Sequence, residues 1–162
     1  MTLDEELCAR RGTRVWRSDD PDYPIRDAVP NRPKLLLAEG DRFDALDAPR
    51  VAVVGTRAAS PHGLADAHEI AAFLASAGVC IISGLALGID GAAHQGAIDA
   101  GGLTVGVVAT GLDIEYPRRH RALYARVRAN GLVVSESPFG VQPRPERFPI
   151  RNRIIAALAD AV

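Results

Sequence analysis

A chain of 162 residues with 48% hydrophobic content can bury one real core and is too apolar to stay disordered. The formal net charge is -1, and no run approaches the roughly 18 apolar residues a membrane span needs, so no membrane association is expected. The charged start MTLDEELCARRG lacks a signal peptide's apolar centre, leaving the cytoplasm as the expected location, and the lone Cys8 and Cys80 offer neither a disulfide framework nor a zinc site.

Residues 1–33 mix Asp, Pro and Arg without periodicity and read as an extended lead-in, with a short helix near residues 3–10. The core is expected over 34–162. KLLLAEG (34–40) reads as its first strand, and RVAVVG (50–55) as a buried parallel strand, apolar on both faces from Val51 to Val54. Ser60 then supplies an N-cap and Pro61 the first helical position. The helix should run to about Ala77, with Leu64, Ala67, Ile70, Ala71 and Leu74 on its inner face and Gly78 closing it. Val79–Ile82 is the next strand, Asp90–Ala100 a helix closed by Gly101 and Gly102, and Leu103–Ala109 a strand followed by the loop TGLDIEYP. Arg119–Ala129 is a helix ended by Asn130 and Gly131, and Leu132–Ser135 a further strand. Four prolines make 137–149 a loop, Arg151–Leu158 is a last helix, and Asp160–Val162 opens another strand. This alternation predicts an α/β protein: a Rossmann-like, doubly wound, mostly parallel sheet with helices on both faces.

Such sheets bind ligands beyond the carboxyl ends of their strands. Four segments begin where a strand stops: GTR (55–57), SGLALGID (83–90), TGLDIEYP (110–117) and SESP (135–138). Gly55 allows close backbone approach, Thr56 offers a hydroxyl and Arg57 a planar cationic fork. Gly84 and Gly88 permit a tight turn whose amides, at a helix start, would face an anion. Neither GxGxxG nor GxxxxGK[ST] is present, so dinucleotide and P-loop readings fail and no cofactor or metal is expected. Asp90 and His94 share a helical face, where an acid and a base for Ser83 would stand. A nucleophile elbow needs GxSxG, however, and Ile82 precedes Ser83. The pair is therefore expected to hold the turn in shape, and no enzymatic activity is expected.

Charge is distributed unevenly. Residues 118–153 carry nine arginines against only Glu136 and Glu146, a surplus of seven that points to an anionic partner. Lys34 is the only lysine, so coding bias accounts for part of the arginine excess. Phe139 and Phe148, two of eight aromatics, sit among Arg144, Arg147, Arg151 and Arg153. Two readings of Phe148 stay open: a stacking platform for single-stranded bases, or an anchor of the loop to the core with Asn152 capping the helix. Phe139 is expected to be buried.

In order, VAVVGTR, SGLALGIDGAAHQGA, GLDIEYPRRH, VSESPFG and FPIRNRIIAALADAV resemble the signature series of the DNA-processing protein A (DprA/Smf) family. The upstream DPDYPIRDAVPNRPKLLLAEGD is similar to that family's lead-in, so the resemblance covers roughly residues 19–162. It implies a Rossmann-like domain that binds single-stranded DNA without reading sequence. The family loads the recombinase RecA onto incoming DNA during natural transformation, and its members form homodimers. The family's DNA-contacting pocket carries over onto Gly55, Thr56, Arg57, Ser83, Gly84, Phe148, Arg151, Asn152 and Arg153. The family core continues with further strands, so the core here is expected to be incomplete at its C-terminal end, which bears on dimerisation and RecA contact. A nucleotide-binding sensor of the same superfamily is the alternative. Phosphoribohydrolases of that superfamily carry PGGxGTxxE, which is absent here, so hydrolysis is not expected.

Overall fold

The Asp4 carboxylate accepts the Leu7 amide at 2.8 Å and caps α1 (Glu5–Arg11), whose acidic first turn and basic last turn both suit the helix dipole. The computed structural model describes residues 4–25 and 29–162; residues 1–3 and 26–28 of the expected lead-in, including the start of its helix, lie outside the described residues. After α1 comes β1 (Arg14–Arg17), a strand the sequence pattern did not single out. Four residues are too few to establish a period of two, but the strand buries Trp16 and pairs antiparallel with β2 (Leu35–Gly40).

The wound half of the sheet contains β3 (Arg50–Ala52), β4 (Cys80–Ser83), β5 (Thr104–Val107) and β6 (Gly131–Ser135). The strand order is β1-β2-β6-β5-β4-β3, with β3 to β6 parallel and β2 antiparallel to β6. Between them lie α2 (Pro61–Ser76), α3 (Ile89–Asp99) and α4 (Arg121–Ala129), and after β6 comes α5 (Arg147–Leu158). Three successive crossovers step the same way across the sheet and stack α2, α3 and α4 on one face, where Ile81 and Val133 meet Ala93 and Val127. The chain then reverses. Helix α5 carries it back to β3, where Ala161 bridges Val51 in parallel, so the strand expected at Asp160–Val162 begins there. That reversal puts Ile154, Ile155 and Leu158 on the opposite face, against Cys80, Ile82 and Val105. Helices on both faces of a Rossmann-like sheet are thus observed.

Three details differ from expectation. Strand β3 is short and not buried on both faces: the chain leaves the sheet after Ala52, and Val54 is 46% exposed. The inner stripe of α2 is Ala67, Ala71 and Ala75, small side chains that let it close on α3, while Ile70 and Phe73 face outward. Helix α5 begins four residues earlier than predicted. Pro149 sits in its first turn, where no amide hydrogen bond is needed, and Asn152 therefore lies inside the helix and does not cap it. Among the described residues, no helix is long and apolar enough to cross a membrane.

Candidate nucleic-acid interface

The carboxyl ends of β3 and β4 are locked together by backbone. Thr56 O accepts the Ile89 amide at 3.2 Å, and the Ser83 hydroxyl donates to Val53 O at 2.7 Å. Gly88, at φ +80°, lies under the first loop, where a Cβ would fall 2.2 Å from Thr56 O. No other residue type fits there.

The next layer is built around a buried cation. Arg151, in the second turn of α5, is 5% exposed, and its Nη1 donates to Gly84 O at 2.8 Å and to Val107 O at 2.5 Å. One guanidinium thus joins the ends of β4 and β5 to α5. The Gly84 amide donates to Asp90 Oδ2 at 3.0 Å, and a Cβ on Gly84 would lie 2.6 Å from both Arg151 and Asp90. Burial pushes the Arg151 guanidinium down from its usual range, and the nearby Asp90 carboxylate opposes that shift.

This wiring also settles the Ser83–Asp90–His94 grouping. His94 is fully buried, with Nδ1 2.7 Å from the Thr104 hydroxyl, which itself donates to Ile81 O at 2.8 Å. Burial lowers the ring's pKa to about 3, which keeps it neutral. Each of the three side chains is engaged away from the other two, and Asp90 holds the turn as expected. The anion-cradle reading of this helix start needs correction at two amides, because Gly84 N–H is taken by Asp90 and Ile89 N–H by Thr56.

Above the buried layer lies an open crevice of about 560 Å³. Gly55, Arg57, Phe148, Arg151 and Asn152 line it. The Arg57 guanidinium lies 4.5 Å from the centroid of the Phe148 ring, and the Tyr116 ring lies 5.8 Å from the same ring at a tilt of 31°. Phe148 is thus half-buried in the crevice wall. Phe139 packs beside the core on the α4 face under the Arg11 guanidinium and is only partly buried. Gly84 lines a small recess at the crevice floor and Ser83 is buried, while Thr56, between Gly55 and Arg57, is not itself a lining residue. Arg153 turns elsewhere and pairs with Glu136.

Tyr116 and Arg144 also line the crevice and are not among the pocket residues implied by the resemblance, although Arg144 belongs to the arginine cluster around Phe148. Tyr116 could have been found as an aromatic inside one of the four strand-end loops. The arginine surplus is smaller in space than in sequence. Arg126 pairs with Asp99 at 2.9 Å, Arg128 with Glu115 at 2.8 Å, and Arg121 with Glu115 at 3.5 Å. Those acids come from outside the 118–153 window, so counting along the chain missed them. Among the described residues Arg57, Arg118, Arg119, Arg144 and Arg147 make no ion pair.

A wound α/β sheet with an arginine-aromatic stack beyond its strand ends defines a Rossmann-like protein with a crevice suited to flat rings and anionic groups. The family model described as DNA recombination-mediator protein A matches residues 14–162, and the chain belongs to that family. DNA processing protein DprA of Streptococcus pneumoniae is 45% identical over 130 residues, covering 80% of this chain and 45% of that protein. The X-ray structure of DprA from Streptococcus pneumoniae matches with a TM-score of 0.82 at 38% identity, over 97% of this chain and 56% of that one. A DprA structure from Helicobacter pylori, described for its single-stranded DNA binding mode, matches at 0.78 and 31% identity, over 91% of this chain and 66% of that one. The chain spans about half, or less, of the length of the curated relatives it matches.

Proposed function

We propose that this chain binds single-stranded DNA without reading its sequence, as the DNA-binding part of a protein that helps load RecA onto incoming DNA during natural transformation. The observation that carries this reading is the Arg57–Phe148–Tyr116 stack in an open crevice. Every base has a π-face, so aromatic rings beside a guanidinium hold a strand without discriminating among bases. Arg144 at the rim and Arg57 on the wall supply charge for the backbone phosphates. The Helicobacter pylori relative supports the ligand class. A cytoplasmic location and a homodimer go with the family reading.

Binding rather than turnover is the role we assign, since Ser83, Asp90 and His94 are each engaged in holding the fold. The alternative of a mononucleotide sensor is less well served. It needs free amides at the α3 start, and those of Gly84 and Ile89 are occupied.

An oligonucleotide titration with a mononucleotide competitor tests the reading. Affinity should fall with salt, log K against log salt having a slope of about -0.7 for each phosphate neutralised. The mononucleotide should compete only weakly. Absence of any retardation at low salt would sink the proposal, and full competition by the mononucleotide would favour the sensor.

A further inference from the structure

A second concavity of about 700 Å³ lies on the helical face, between α2 and α4 and floored by α3. Its polar lining is His68, Gln95, Arg119, His120 and Arg126, with Leu64 and Leu123 as apolar walls. Among the described residues, no acidic side chain lines it. Asp99 stands nearby but is already engaged by His68 at 3.0 Å, Gln95 at 2.7 Å and Arg126 at 2.9 Å. Arg119 makes no ion pair among the described residues.

What connects this groove to the crevice is a pair of shared loops. In the β4–α3 loop, Ala86 lines the crevice and Gly88 lines the groove. In the segment after β5, Tyr116 lines the crevice while Arg119 and His120 line the groove. Each loop therefore has one end in each concavity, and the two form a low saddle between them. His120 fixes that saddle, its Nδ1 lying 2.9 Å from Leu85 O. Three residue steps separate Tyr116 from Arg119, a span of at most about 11 Å.

We infer that the groove between α2 and α4 is a second subsite for the same single strand, which leaves the crevice over the Gly88–Pro117 saddle and lays its following phosphates along Arg119 and Arg126. The inference rests on the crevice reading above and extends it: the footprint is two-part, with ring stacking in the crevice and mainly phosphate contact in the groove. Charge complementarity selects the occupant, since Arg119 is a cation with no ion pair among the described residues and the neighbouring Asp99 carboxylate is already engaged by His68, Gln95 and Arg126. The engaged guanidinium of Arg126 still has donors to spare beyond the one spent on Asp99.

The test compares an oligothymidylate of about 20 nucleotides with one of about four, which can fill only the crevice. For the double variant Arg119→Ala/Arg126→Ala, the long oligomer should bind about tenfold more weakly, and its salt slope should shrink by about 1.4 for two lost phosphate contacts. The short oligomer should bind as it does to the unaltered chain. Arg119→Ala alone guards against a folding defect, because Arg119 makes no ion pair or side-chain hydrogen bond among the described residues; it should show half the slope change. Equal affinities of altered and unaltered protein for the long oligomer would overturn the inference, as would equal losses for both lengths. Arg57→Ala separates the two readings. If it weakens binding of both lengths about tenfold while the groove variants change nothing, the crevice reading stands and the second subsite falls. If the unaltered chain binds neither oligomer, both fall.

Discussion

The β4–α3 loop and the segment leading into α5 face each other across the crevice and are built on opposite plans. In the loop, the Ser83 hydroxyl, the Gly84 amide and carbonyl, the Leu85 carbonyl and the Asp90 carboxylate all have partners inside the protein. Opposite, Arg144 is exposed, Phe148 is half-buried, and α5 starts without a side-chain cap. One wall is saturated with internal hydrogen bonds and the other leaves its chemistry unspent. The lesson is that residues sharing one site divide into those that give it shape and those that touch a ligand. Being near the crevice does not say which.

Substitutions can break or sharpen that division. The largest effect is expected at the residue of α5 that saturates the loop wall: Arg151→Ala leaves two buried carbonyls and the Asp90 carboxylate without their cation. Stability should fall by about 3 kcal/mol, read as a shift of the urea midpoint, and an unmoved midpoint would erase the distinction. Next comes the open side. Arg57→Ala should change stability by less than about 0.5 kcal/mol, because the side chain is exposed, and yet weaken oligonucleotide binding about tenfold for every sequence tried. Phe148→Ala should weaken binding by about 1–3 kcal/mol, one stacked base, in fluorescence anisotropy. Losses confined to one base composition would contradict sequence-independent binding.

The smallest effect is a pH dependence arising under the loop. Burial lowers the His94 pKa to about 3 from 6.5, with the neighbouring His120 and Arg151 adding to the shift. The unfolded ring takes a proton first on acidification, so this contribution is complete above about pH 6.5 and is lost as pH falls toward 3. Between about pH 6.5 and 5.5 the loss should be about 1 kcal/mol, measurable by denaturation at the two values. His94→Gln should flatten that slope.

Much of this was legible in the sequence. The run Val79–Ile82 and the helix after it announce a buried strand and a crossover, and three of the four strand-end loops do converge on the crevice, because parallel winding brings the carboxyl ends to one edge; SESP (135–138) does not line it. Partnership was harder to read. Nothing local to Arg151 says that it will be buried on carbonyls 67 and 44 residues away, while Arg57 stays exposed. Arg153 reads like its neighbours and turns to Glu136 instead. On α2 the larger apolar side chains Ile70 and Phe73 lost the inner face to alanines, because close approach to α3 outweighs the burial of bulk. Periodicity identifies a face, and tertiary fit decides which residues on it turn inward.

The path of α5 carries a consequence for synthesis. The wall bearing Phe148 and the guanidinium of Arg151 arrive on α5, after β3, β4, β5 and β6 have all been made. Contacts across such separations form late, since a long loop must close before they are gained. A nascent chain extended only as far as β6 has the strands and their loops but only one side of the crevice. On the proposed reading, holding a strand of DNA therefore waits for α5 to fold back across the sheet.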